Sequence, residues 1–233
     1  KTSSVYVYDA NGSAYTINAS ISTVTALSDA GTLSSALGNG VAYYDNCIYF
    51  FKNTDVTRYG PLNGTAGFVD TYWTGTLAKT ALVNTTYPTS YKHAIRYPNH
   101  PAVRHSDGKL YFCDVVGNQG TIHYIYTTKT TVEGDTDGGS TYNALDLGYG
   151  LWPTAIESFG TDLAIALYEG STASLKQGRA KIAFWDTTSS SPNKMIWDFP
   201  DTIITALRVL NGVLYTVSGN INASGFRVMR YIG

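Results

Sequence analysis

A chain of 233 residues with a net charge of −1 and 14% charged residues gives no electrostatic ground for nucleic acid or an anionic membrane as its main partner. No apolar run reaches the roughly eighteen residues that a membrane-spanning helix needs, so membrane insertion is not expected. The 43% hydrophobic content is that of a globular protein, and nineteen Tyr with abundant Thr, Ser and Gly favour strands and tight turns over helices. Few charges beside many Tyr and Thr suit an extracellular or virion-surface location.

In chain order, Lys1-Thr-Ser-Ser4 lacks the shape of a signal peptide. Residues 5–9 and 14–18 alternate as outer strands whose inner partners are missing, and 28–36 reads as a loop. A motif then comes round four times: an apolar strand, a tight polar turn, and a second strand containing Leu/Ile-Tyr or its equivalent. Its copies are residues 41–50, 102–112, 155–165 and 206–215, with the turn at Asn46, Gly108, Thr161 and Gly212, at spacings of 62, 53 and 51. A period near fifty built of short strands predicts blades of four antiparallel strands, the unit of a β-propeller.

The first copy predicts strands at 40–44, 48–52 and 56–59, with no clear pairing over 64–97. The second predicts 102–105, 109–116, 121–127 and 142–147. The third predicts 154–159, 162–168, 179–186 and 194–198, and the last 204–210, 213–218 and 226–231. The expected fold is all-β: one propeller domain over 1–233 of about four to five blades (1–39 partial, 40–97, 98–150, 151–200, 201–233 partial). Either the N-terminal strands complete the last blade, or the chain belongs to a larger propeller; the intact motif at both extremes favours the second.

Chemistry is sparser. Asp135 and Asp137 sit two apart in a Gly-rich loop, an oxygen-donor arrangement that Ca²⁺ accepts, although the loop lacks the terminal Glu of an EF-hand and reads first as a solvated turn. Apart from that, no cofactor is expected. His93, His100 and His105 lie close together but without zinc-ligand spacing. His100 and Trp152 each precede an inner strand, where loops converge on one face of a propeller. An indole there can stack on a sugar ring; the plainer reading is that Trp152 fills the core between blades. Trp185 and Trp197 fall on outer strands and suit inter-blade packing. Arg104 and Arg208 fall on inner strands and can reach a central channel, as a carboxylate-holding site requires. No nucleophile, acid and base emerge in named catalytic roles. Cys47 and Cys113 fall at unmatched positions of the repeat and read as two buried thiols. Asn-x-Ser/Thr sequons occur at Asn11, Asn18, Asn63, Asn84 and Asn222 and permit glycosylation.

The stretch 178–186 (Gly-Arg-Ala-Lys-Ile-Ala-Phe-Trp-Asp), the turn 189–193, the segment 199–207 and the segment 97–111 (Tyr-Pro-Asn-His-Pro-Ala-Val-Arg-His-Ser-Asp-Gly-Lys-Leu-Tyr) resemble blades of virion-associated propellers encoded by tailed phages and environmental viruses. The resemblance covers roughly 90–231 and rests on structural motifs, which kelch, NHL-type and lectin propellers share in part. It implies a structural or surface-recognition role and carries no catalytic residues. The function expected is that of a non-enzymatic propeller joining protein partners in a virion or other extracellular assembly. A secreted propeller that binds surface glycans is the alternative, and a glycoside-processing enzyme the remotest reading.

Overall fold

A computed structural model describes residues 4–8, 14–18, 24–26, 40–51, 55–62, 67–74, 102–116, 119–125, 132–133, 144–170, 178–192, 194–220 and 225–231. The described chain is all-β, built of antiparallel sheets, and no helix occurs among the described residues. It divides into two compact units, 1–76 and 77–233.

The first unit contains two sheets. β1 (Ser4–Tyr8), β2 (Ala14–Asn18) and β3 (Val24–Ala26) pair in that order. β4 (Gly40–Tyr44), β5 (Cys47–Phe51), β6 (Asp55–Gly60) and β7 (Gly67–Thr74) form a four-stranded meander. The β4–β5 hairpin turns through Asp45 and Asn46, both at positive φ (46° and 56°), the backbone of a type I′ turn, which suits the right-handed twist of the strands it joins.

Three sheets build the second unit. β8 (Ala102–Arg104), β9 (Leu110–Val116), β10 (Gln119–Ile125) and β11 (Val132–Glu133) pair in sequence, and β12 (Leu145–Tyr149) also pairs with β10. β13 (Leu151–Phe159), β14 (Asp162–Glu169), β15 (Arg179–Trp185) and β16 (Lys194–Asp198) make the second sheet. β17 (Ile203–Leu210), β18 (Val213–Gly219) and β19 (Phe226–Arg230) make the third.

The alternation of side chains along β14 explains how these sheets pack. Leu163, Ile165 and Leu167 join Tyr111, Ile122 and Leu145 of the first sheet in one buried cluster. Ala164 and Ala166, pointing the other way, join Ile204, Leu207 and Leu214 of the third sheet in another. The second sheet is therefore covered on both faces, and every residue from Asp162 to Tyr168 is buried. Each large aliphatic side chain removed from water on β14 contributes about 1.5–3 kcal/mol.

β13 and β17 share an irregularity. The register slips between Pro153 and Ala155 and again between Ile204 and Ala206, so Thr154 and Thr205 are the extra residues of two equivalent bulges. Thr154 Oγ1 donates to the Ile204 carbonyl across the sheet boundary at 2.7 Å. Thr205 Oγ1 turns back to Val217 O of its own sheet at 3.4 Å. Both cysteines are free and buried, Cys47 in the first unit and Cys113 in the second.

Candidate functional site

β8, β13 and β17 are the end strands of their sheets, and each runs into a hairpin turn. Polar side chains at these strand ends meet across sheet boundaries. His105, 4% exposed, follows β8; its Nδ1 lies 2.8 Å from Ser158 Oγ on β13 and its Nε2 lies 3.4 Å from Ser106 Oγ. The Tyr111 ring stands edge-on to it at 6.0 Å. Glu157, the neighbour of Ser158, accepts the Ser158 N–H at 3.0 Å through Oε1 and the Arg208 Nη1–H at 3.0 Å through Oε2. A chain of polar contacts thus runs from the first sheet through the second to Arg208 on the third.

The two ends of this chain differ. The Glu157 side chain is 10% exposed while that of Arg208 is 61% exposed. A covered carboxylate fixes the orientation of a largely exposed guanidinium, a group whose planar fork suits recognition of carboxylates and phosphates. His105 is bracketed by two serine hydroxyls, which satisfy either neutral tautomer. The pair Ser158–His105 has hydrogen-bond geometry, but no carboxylate among the described residues orients the ring, and the imidazole is covered. These contacts hold sheets in register.

Arg104 is exposed on β8, and no ion pair to it forms among the described residues. Trp152 departs from its expected place. β13 begins at Leu151, so Trp152 lies within the strand opposite Tyr168. Its indole is 1% exposed and packs on the Tyr168 ring at 5.5 Å, so it presents no face on which a sugar could stack. The Tyr168 ring is boxed in by backbone: a Cβ at Gly178 would overlap it. Burial raises the Tyr168 phenol above its usual pKa. His93, His100, Asp135 and Asp137 lie outside the described residues. Among the described residues no three His, Cys, Asp or Glu side chains group as metal ligands. Burial pushes the Cys47 thiol up, which keeps it protonated and unreactive.

Trp185 and Trp197 pack between sheets. Trp185 belongs to the cluster shared by the first and second sheets and meets Tyr111 edge-on at 5.8 Å. Trp197 on β16 lies 4.3 Å from the Tyr231 ring that follows β19. Asp201, between the second and third sheets, accepts Ser218 Oγ–H at 2.6 Å and pairs with Arg227 of β19 at 3.0 Å.

Glu157 and Ser158 are the residues that sequence reasoning missed. The signal was available: in the apolar first strand of the repeat, Glu157 occupies the place that Arg208 occupies 51 residues later, and opposite charges at one repeat position suggest a pair.

No protein-family model matches the chain. No curated protein sequence matches it either. Several solved structures resemble it, three of them as follows. One is a quinoprotein alcohol dehydrogenase-like protein from Bacteroides thetaiotaomicron (TM-score 0.56, 11% identity, 98% of this chain and 50% of that one). Another is the extracellular domain of a hybrid two-component system from the same organism (0.55, 12%, 98% and 26%). The third is a luciferin-regenerating enzyme (0.54, 10%, 100% and 75%). The chain spans half the length of the first and about a quarter of the second. At these identities the likeness shows fold alone: the chain is β-propeller-like. That agrees with the propeller part of the sequence resemblance and does not bear on its virion part.

Proposed function

We propose that this chain is a non-enzymatic interaction module on a propeller-type scaffold, serving an extracellular or virion-surface assembly. One contrast carries the reading. Groups with chemical capacity (His105, Ser158, Glu157) are spent on contacts between sheets, while large apolar side chains on the third sheet, Leu210, Phe226 and Val228, stand 57–70% exposed. Phe226 and Val228 lie together on one strand, and neighbouring exposed apolar side chains on a scaffold with a packed core suit a surface that meets a partner. The low charge content supports a location outside the cell, and one of the similar structures is an extracellular domain.

The glycan reading, without a Trp152 platform, rests on the exposed guanidinium groups of Arg104 and Arg208 and takes acidic glycans as its ligands. Two measurements on one preparation decide among the readings. A panel of chromogenic glycosides and esters is expected to show no turnover that Arg104→Ala or Ser158→Ala removes; turnover lost in either variant overturns the module reading in favour of an enzyme. A glycan array with binding lost in Arg208→Ala selects the lectin.

A further inference from the structure

Among the described residues, the third sheet ends in a strand whose outer edge is unpaired. β19 pairs with β18 and with no other strand among the described residues, whereas the second sheet continues to a fourth strand. The hydrogen-bond parity of β19 follows from one contact. Tyr231 N–H donates to Leu214 O at 2.8 Å, and in an antiparallel pair bonded and non-bonded positions alternate. Met229 opposite Thr216 and Arg227 opposite Ser218 therefore also turn their backbone groups toward β18. Phe226, Val228 and Arg230 turn theirs outward.

The same three residues share one side-chain face. Val228 lies opposite Val217 and Arg230 opposite Tyr215, on the side of β18 away from Leu214, which packs against the second sheet. Phe226 is 57% and Val228 70% exposed. Arg230 is exposed, and no ion pair to it forms among the described residues. On the other face, Arg227 is already neutralised by Asp201.

We propose that β19 accepts an extended partner segment as an antiparallel fourth strand, and that this segment carries a carboxylate and two aliphatic side chains at alternate positions. The carboxylate falls opposite Arg230 and the aliphatic residues opposite Val228 and Phe226. Main-chain bonds to the outward groups of Phe226, Val228 and Arg230 supply affinity, and the alternate side chains supply selectivity. Pairing with β19 of a second copy fits the edge less well: with Val228 against Val228 on a two-fold axis, Arg230 falls opposite Phe226 of the copy and meets no carboxylate on that strand. The inference rests on the interaction reading above and names its surface.

The test uses the full chain and a fluorescein-labelled peptide, Thr-Glu-Thr-Val-Thr-Val-Thr, read by anisotropy. Val228→Pro removes one outward N–H and leaves the β18 ladder intact, since proline is tolerated on an edge strand where its nitrogen faces solvent. The expected result is saturable binding, weakened about tenfold or more by Val228→Pro and several-fold when the peptide Glu is replaced by Lys, on the order of 1 kcal/mol or more per lost interaction. Arg230→Glu should reverse the preference toward the Lys peptide, which keeps the test open should the proline variant fail to fold. No binding at about millimolar protein, or binding indifferent to both variants, overturns the proposal. Light scattering showing a concentration-dependent dimer abolished by Val228→Pro overturns it in favour of self-pairing. Either failure leaves the module reading to the turnover panel.

Discussion

Glu157 and Arg208 form one contact with two unequal halves. Removing Arg208 leaves a carboxylate at 10% exposure with a single N–H donor, and an under-satisfied buried acceptor costs about 1–3 kcal/mol. Removing Glu157 takes one partner from an already largely exposed guanidinium, at under about 1 kcal/mol. Arg208→Ala should therefore lower the urea midpoint more than Glu157→Gln, and the reverse order would mean that the carboxylate is better hydrated than its burial implies. Asp186 offers a titration. Its exposed carboxylate accepts the Ser189 N–H at 2.7 Å, the Thr188 N–H at 2.9 Å and the Ser189 hydroxyl at 2.8 Å. Ser189 N–H first, then Thr188 N–H, hold its pKa down to about 2. Because the folded value is depressed, the turn's stabilisation is fully present above the ordinary carboxylate range and is lost progressively as pH falls from there through about 2. Carbon-detected NMR of the carboxyl should show that low midpoint, and an ordinary midpoint would rule the turn out.

At the scale of elements, β14 shows why the sheets stack closely. Its aliphatic face fills one interface and its alanine face lets the third sheet approach. Ala166→Leu should cost about 1–3 kcal/mol by overpacking, whereas the same change on an exposed strand face would be nearly neutral; a thermal melt decides. Gly120 on β10 is a second tight place, since a Cβ there would overlap the Leu151 carbonyl oxygen and the Pro153 ring, and Gly120→Ala should destabilise by about as much or more. Strands beside strong turns were legible in the sequence: β4 and β16 fall at 40–44 and 194–198, as the pattern predicts. β3 and β11, three and two residues long, are too short to leave a period. The strand expected from residue 154 starts at Leu151, because a bulge at Thr154 on an end strand accommodates Pro153, and the Trp152 indole lies in the interior, the plainer of its two readings.

Across the second unit, one sheet is sandwiched and another ends, among the described residues, in an unpaired edge, which predicts a gradient of local stability. Amides of β14 and β15 should exchange slowest. On β19 the Val228 amide should exchange faster than those of its neighbours Arg227 and Met229, which bond to β18. Uniform protection along β19 would mean its edge is occupied. The periodic fold was readable at this scale because each sheet repeats the same turn and strand chemistry. The polar chain through His105, Ser158, Glu157 and Arg208 was less so, because it joins residues about fifty positions apart and only folding makes them neighbours.

The paired threonine bulges have a bearing on how such a chain grows. A cassette cut at Thr154 and ending at Ile204 holds both halves of the fastener, the hydroxyl at its head and the carbonyl it grips at its tail. Copied in tandem, each cassette brings its own fastener, so every added sheet arrives with the hydroxyl and the carbonyl that lock it to the next.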